Sequence, residues 1–143
     1  MKTKIQKINE CMFAEVNIPK NESHKRIMVD FDGTIHKYSK GFYDGSIYDE
    51  PFEGVKEALN QLKEKGYEII IYSARICPDV NEDHEHQMEE MKEWLNRYEI
   101  PFDDMTYKKL AADLYIDDRG YRFEGDWNKE FPIMLEILER KGN

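Results

Sequence analysis

Two aspartates one residue apart close the apolar run in RIMVDFDGTIHKYS, Arg26 to Ser39, so that Asp30 and Asp32 stand at the mouth of what reads as a buried strand. In extended backbone, residues i and i+2 point to the same side, and both carboxylates can then serve one reacting group. Two other β-rich runs end in a similar way: Ser73 follows YEIIIY, and Asp117 and Asp118 follow LYI, with Lys108 and Lys109 just upstream. Taken singly, an Asp or Ser after a strand is most often a turn or helix cap. Taken together and in this order, they describe a site.

The chemistry follows from charge. If parallel strand ends bring Asp30 and Asp117 to within about 4 Å, their repulsion is roughly 4 kcal/mol at an effective dielectric near 20, so a positive group belongs between them. A hard divalent cation suits an all-oxygen donor set, and Mg2+ takes one or two carboxylates while keeping waters and phosphate oxygens. A serine hydroxyl and a lysine ammonium supply donors that neutralise charge on a transferring phosphoryl group. An aspartate left free beside them is a competent nucleophile toward phosphorus.

The elements that must position these groups are legible in the periodicity. RIMVDF reads as a strand buried on both faces, as parallel strands are. Phe52, Val55, Leu59 and Leu62 follow helical spacing and end at Gly66, which suits the C′ position. The run YEIIIYSAR is the next strand, and Met88, Met91, Leu95 and Tyr98 then mark one side of a helix as core filler. IPFD is a candidate short strand, AADLYIDD a clear one, and FPIMLEIL a closing helix with Pro132 near its first turn. Alternating strands and helices imply an α/β fold, a three-layer Rossmann-like parallel sheet with helices on both faces, whose chemistry gathers at the carboxyl ends of the strands. Residues 1–25 are expected to be an N-terminal extension with one strand over Met12–Ile18, and residues 26–143 the catalytic domain.

The motifs VDFDGT, IIIYS, the lysine pair and LYIDD resemble the four motifs of the haloacid dehalogenase superfamily, over residues from about 26 to 135. The resemblance implies that Asp30 is the nucleophile that forms an aspartyl-phosphate, and that Asp32 is the general acid for the leaving group and then the base for water. It implies that Ser73 binds the phosphoryl group, that Lys109 stabilises Asp30 and the phosphate, and that Mg2+ is held by Asp30, Asp117 and the backbone carbonyl of Asp32, with Asp118 supporting the metal shell. Lys109 is preferred to Lys108 on spacing alone. Phosphatases of the superfamily keep the second aspartate because an alkoxide leaving group needs a proton, whereas a halide does not. Gly33 and Thr34 fit a tight exit turn, the threonine as a local hydrogen-bonder. Arg75 is expected to help place the phosphate or to pair with a site carboxylate. The wider pattern SAR, WL, IPFD, ADLYIDDR and GDW resembles short hydrolases related in part to nucleotide and polynucleotide phosphatases.

Neither inter-motif gap holds a large cap, so the resemblance implies an uncapped or minimally capped member. The stretch HKYSKGFYDGSIYDE is similar to a small flap, and Asp44-Gly45 is a signal for a type I′ β-hairpin. Tyr38, Phe42, Tyr43 and Tyr48 either stack on a substrate ring or pack the flap. Trp127 reads as a packing anchor, and His84 and His86 as a solvated helix face.

Composition bounds the rest. The chain has 143 residues and a formal net charge of −9, which argues against diffuse binding to nucleic acid or anionic membrane but leaves room for a local basic site at a nucleic-acid end. No apolar run approaches the roughly 20 residues of a bilayer span, and the lysine-bearing start lacks the apolar segment of a signal peptide, so a cytoplasmic protein is expected. Cys11 and Cys77 have no metal-ligand or disulfide spacing. The expected substrate is a small-molecule phosphate ester or a nucleotide, and an oligomer could complete an open site. A receiver-like domain shares the residue types but not their order, since its acidic pair comes early and here the D-x-D comes first. A binder of phosphorylated ligands without turnover has no use for both Asp30 and Asp32.

Overall fold

A computed structural model of the chain describes residues 25–141, with side chains to Arg140; the strand expected over Met12–Ile18 lies outside them. Four strands form one parallel sheet: β1 (Arg26–Asp30), β2 (Glu68–Tyr72), β3 (Asp104–Thr106) and β4 (Leu114–Ile116), in the order β3-β2-β1-β4. The helices are α1 (Val55–Glu64) between β1 and β2, α2 (His84–Arg97) between β2 and β3, and α3 (Trp127–Lys141) after β4. The chain thus has the α/β, Rossmann-like parallel architecture expected from its alternating pattern. Strand three begins just after IPFD rather than within it.

The central strands are buried on both faces because nearly every side chain is apolar. Ile27 and Val29 of β1, with Ile69 and Ile71 of β2, face one way and pack against Leu59 of α1 and Met91, Trp94 and Leu95 of α2. Met28 and Ile70 face the other way, against Tyr72, Leu110, Ala112 and Tyr115. The helical spacing of α2 held as expected, with Met91 and Leu95 in the core and Met88 and Tyr98 packed at its margin.

Backbone signals set the ends of α1. Gly66 adopts a φ of 89°, the Gly66 amide bonds the Lys63 carbonyl, and the Tyr67 amide reaches back to the Leu62 carbonyl. These are the two bonds of a Schellman motif, which stops the helix and turns the chain into β2. The closing helix starts earlier than FPIMLEIL. Asp126 accepts from the Lys129 amide while Glu130 accepts from the Asp126 amide, a reciprocal cap that nucleates α3 at Trp127 and leaves Pro132 inside it. Trp127 is not a packing anchor: it is 64 % exposed and meets only the ring of Phe123, at 5.1 Å, among the described aromatic contacts.

The flap also departs from expectation. Its base is antiparallel, with the Lys37 amide bonded to the Glu50 carbonyl and the Phe52 amide to the Ile35 carbonyl. Its tip is a series of turns, not a β-hairpin with a type I′ turn. That turn needs positive φ at both Asp44 and Gly45; positive φ falls at Tyr43 (53°) and Gly45 (84°) instead. The cause is inward pinning. The Asp44 carboxylate accepts from the amide and hydroxyl of Ser46, and the Gly45 carbonyl is drawn to Arg75 Nη1 at 2.7 Å and Gln87 Nε2 at 2.8 Å.

Among the described residues no helix is long and apolar enough to cross a membrane. The packing makes a direct prediction. Leu95→Ala, in a site with no exposure, should cost about 2–5 kcal/mol in denaturant unfolding, whereas Leu138→Ala, 63 % exposed on α3, should stay within about 0.5 kcal/mol.

Candidate active site

Register brings the site together. Asp30, the last residue of β1, lies opposite Tyr72 at the end of β2, and Val29 lies opposite Ile116 at the end of β4. The next residues along the neighbouring strands are Ser73 and Asp117, so three strand ends deliver Asp30, Ser73 and Asp117 to one edge of the sheet.

Carboxylate oxygens of Asp30, Asp117 and Asp118 lie within 4.8 Å of one another. Asp118 reaches this group by passing over Gly33. A Cβ on Gly33 would stand 2.4 Å from Asp118 Oδ2, and Gly33 has a φ of 83°, so the exit turn requires glycine for both space and backbone angle. Crowding shows in the protonation of Asp30. Burial, a hydrogen bond with Asp118 and the negative charges of Asp117 and Asp118 push its carboxyl up to about 8, against the downward pull of the Thr34 hydroxyl. That hydroxyl donates to Asp30 Oδ2 at 3.3 Å, the local bond expected of Thr34.

Asp117 is held in the opposite sense. Burial acts upward on it, but the Tyr72 hydroxyl, the Arg119 and Gly120 amides and Asp118 outweigh burial and keep it below the usual carboxylate range. Tyr72 donates to Asp117 Oδ2, and the Arg119 amide donates to Oδ1 at 2.8 Å. Burial and then Asp117 raise the Tyr72 phenol well above its ordinary value, so it stays a donor. Three carboxylates fixed this way form an oxygen-only donor set that fits a hard divalent cation.

Asp32 is separated from that group by a different environment. Its Oδ1 is 2.9 Å from His36 Nδ1, and its Oδ2 accepts from Arg75 Nε at 2.6 Å. Arg75 is buried and spans the site: Nη1 also reaches Gln87 Oε1 at 3.0 Å, and the guanidinium lies over the rings of Tyr38 and Phe42 at 5.7 and 5.2 Å. Of the two expectations for Arg75, pairing with a site carboxylate is the one this geometry contains. Ser73 is buried, and its Oγ accepts from the Arg75 amide at 3.1 Å, capping the short 3-10 turn Ala74–Ile76 that presents Arg75.

Both lysines line a cleft of about 730 Å3 beside Asp117, together with Tyr72, Tyr115 and Arg122. Lys108 Nζ lies over Tyr107 at 5.4 Å and Lys109 Nζ over Tyr115 at 5.8 Å. Tyr115 in turn packs on Tyr72, the donor to Asp117. His86 pairs with Glu90 on the exposed side of α2, as a solvated face should.

Three participants were not read from the sequence. Tyr72 was the last letter of an apolar strand, Gln87 one polar residue of an acidic helix, and His36 part of the flap. Of these only His36 carried a local signal, since it follows Asp32 by four residues across a tight turn.

Two outcomes are expected. Asp30 binds its proton more tightly folded than unfolded, so with divalent cations chelated its contribution to stability is full below about pH 4 and is lost as pH rises through about 8. Between pH 5 and 8 the Tm of the chelated protein should therefore fall more steeply than that of Asp30→Asn, and Mg2+ should recover the loss. Parallel pH profiles for the two proteins would contradict it. Gly33→Ala should cost about 1–2 kcal/mol from the left-handed backbone alone and, by displacing Asp118, should weaken Mg2+ binding in calorimetric titration.

No curated protein and no solved structure shows a significant match to the chain. A family model does, that of the polynucleotide kinase PNKP phosphatase domain, over residues 24–119. This span runs from just before β1 through Arg119 and so contains Asp30, Asp32, Ser73, Arg75, both lysines, Asp117 and Asp118. The chain accordingly belongs to the PNKP phosphatase domain family, and it is a phosphatase-type hydrolase of the haloacid dehalogenase superfamily.

Proposed function

We propose that the protein is a Mg2+-dependent phosphomonoesterase that works through an aspartyl-phosphate on Asp30. The observation that carries this reading is the meeting of Asp30, Asp117 and Asp118 oxygens within 4.8 Å at the carboxyl ends of adjacent parallel strands, with Asp32 held separately by Arg75 and His36. Mg2+ bound by Asp30, Asp117 and the Asp32 backbone carbonyl, with Asp118 in support, would neutralise the crowded carboxylates and polarise the phosphoryl oxygens.

In the first step Asp30 attacks phosphorus, the bond from phosphorus to the leaving oxygen breaks, and Asp32 donates a proton to that oxygen. In the second, Asp32 takes a proton from water as the water oxygen attacks phosphorus. The acyl phosphate bond breaks, giving inorganic phosphate and free Asp30. Ser73 and Lys109 donate to the phosphoryl oxygens, Gly33 and Thr34 close the turn around them, and Arg75 keeps Asp32 at the edge of the site.

A nucleotide or a polynucleotide end is the substrate class favoured here. The matched family is named for a polynucleotide kinase phosphatase domain, and the cleft beside Asp117 combines Lys108, Lys109 and Arg122 with tyrosines, a pairing of cations and π-faces that suits phosphates and bases. Phe42 and Tyr43 are 48 % and 66 % exposed on the flap, where a base can stack. A cytoplasmic setting and an oligomer that covers the open site are compatible with this reading.

Turnover of an aryl phosphate should require Mg2+ and fall at least about 1,000-fold in Asp30→Asn. Activity indifferent to chelator would sink the mechanism, and phosphate binding without any turnover would favour a regulatory domain. Lys109→Ala should lose about 10- to 100-fold more than Lys108→Ala, and the reverse order would move the site lysine by one residue. Release of phosphate from 3′- and 5′-phosphorylated oligonucleotides, set against mononucleotides and sugar phosphates, discriminates the substrate classes.

A further inference from the structure

His36 is fully buried, and every polar atom of its ring is committed. The Asp49 backbone amide donates to Nε2 at 3.1 Å. An amide can only donate, so Nε2 carries a lone pair and the ring proton is on Nδ1. That proton points at Asp32 Oδ1, 2.9 Å away. The other tautomer would place a lone pair against the carboxylate and an N–H against the amide, and a turned-over ring would offer both partners only C–H groups. The ring is also packed by Phe31, Tyr48 and Trp94, with centroids at 5.6, 5.2 and 5.7 Å. Asp49 is in turn fixed to α2, since Trp94 Nε1 donates to its carbonyl at 3.0 Å.

We infer that His36 is a positioning residue for the proton-transfer step: with its tautomer set by the Asp49 amide, it orients the Asp32 carboxylate and makes the seating of the flap base a condition of leaving-group protonation. The inference rests on the acid role proposed for Asp32. Arg75 fixes one oxygen of that carboxylate and His36 the other, so together they define its plane. Arg75 comes from the turn after β2, and besides its contacts with the flap it is held from outside it by Gln87 of α2. His36 is the donor whose own orientation depends on residue 49, at the far end of the flap. A flap displaced at its base would free the imidazole and let Asp32 rotate about Arg75.

The test has a spectroscopic and a kinetic arm. Imidazole nitrogen NMR of the whole protein should show His36 as the neutral tautomer protonated at Nδ1; an Nε2-protonated ring or an imidazolium overturns the inference. In single-turnover assays with Mg2+, His36→Leu should slow cleavage of an alkyl phosphate about 30-fold and of 4-nitrophenyl phosphate, which leaves without a proton, by less than about 3-fold. His36→Asn, whose amide can donate from near the Nδ1 position, should recover the alkyl substrate to within about 5-fold of wild type. Equal losses on both substrates, or no rescue by asparagine, would make His36 merely structural and end the proposal. Asp32→Asn run in parallel separates the two readings. If it is selective for the alkyl substrate and His36→Leu is not, only the positioning role fails; if Asp32→Asn is itself unselective, the acid role fails and takes the positioning role with it.

Discussion

Three carboxylates whose oxygens lie within 4.8 Å of one another repel, and the chain has to hold them there by means other than their own attraction. The parallel register supplies the largest part, because β1 is paired on both sides and its end cannot move without breaking two ladders. Gly33 supplies the approach of Asp118, which any side chain would block. Tyr72 and the Arg119 amide fix Asp117 in ionised form. The residual strain collects on Asp30, the most enclosed of the three, whose carboxyl is pushed up to about 8. A cation at this point would relieve the repulsion and favour the charged form of Asp30.

Asp32 is only two residues from Asp30 and belongs to another environment. Its partners are a guanidinium and an imidazole, where those of Asp30 are two carboxylates and a hydroxyl. Two carboxylates this close in sequence are thereby given different surroundings. Arg75 is central to that division. Its Nε holds Asp32, Nη1 holds the flap through the Gly45 carbonyl, and Nη2 is buried without a partner among the described residues. The guanidinium lies over the rings of Tyr38 and Phe42, which shield it from water and strengthen its hold on the carboxylate.

Much of this is legible in the sequence. Helical spacing at Val55, Leu59 and Leu62 and at Met91 and Leu95 located the layer that covers one face of the sheet, and Gly66 marked where the first helix stops. These signals are local, set by periodicity and a single backbone angle. The flap was misread because Asp44-Gly45 is a local signal that a tertiary contact overrides: Arg75 and Gln87 pull on the Gly45 carbonyl, and the turn shifts to Tyr43. Trp127 was misread for the reverse reason, since a large apolar residue announces burial whether or not anything packs on it, and here it is exposed.

The sequence by itself determined which polar groups gather at the end of the sheet. D-x-D on a buried strand, a serine after the second and an acidic pair after the last are chemically specific, and alternation of strands and helices leaves one edge where they can meet. It did not determine which partner each group has. Tyr72 on Asp117, His36 on Asp32 and Arg75 between Asp32 and the flap join residues up to 45 positions apart. Such pairings depend on register and on the volume left between packed layers, and neither quantity is encoded in any short stretch of chain. Only the folded sheet could decide that two aspartates one residue apart would differ in kind.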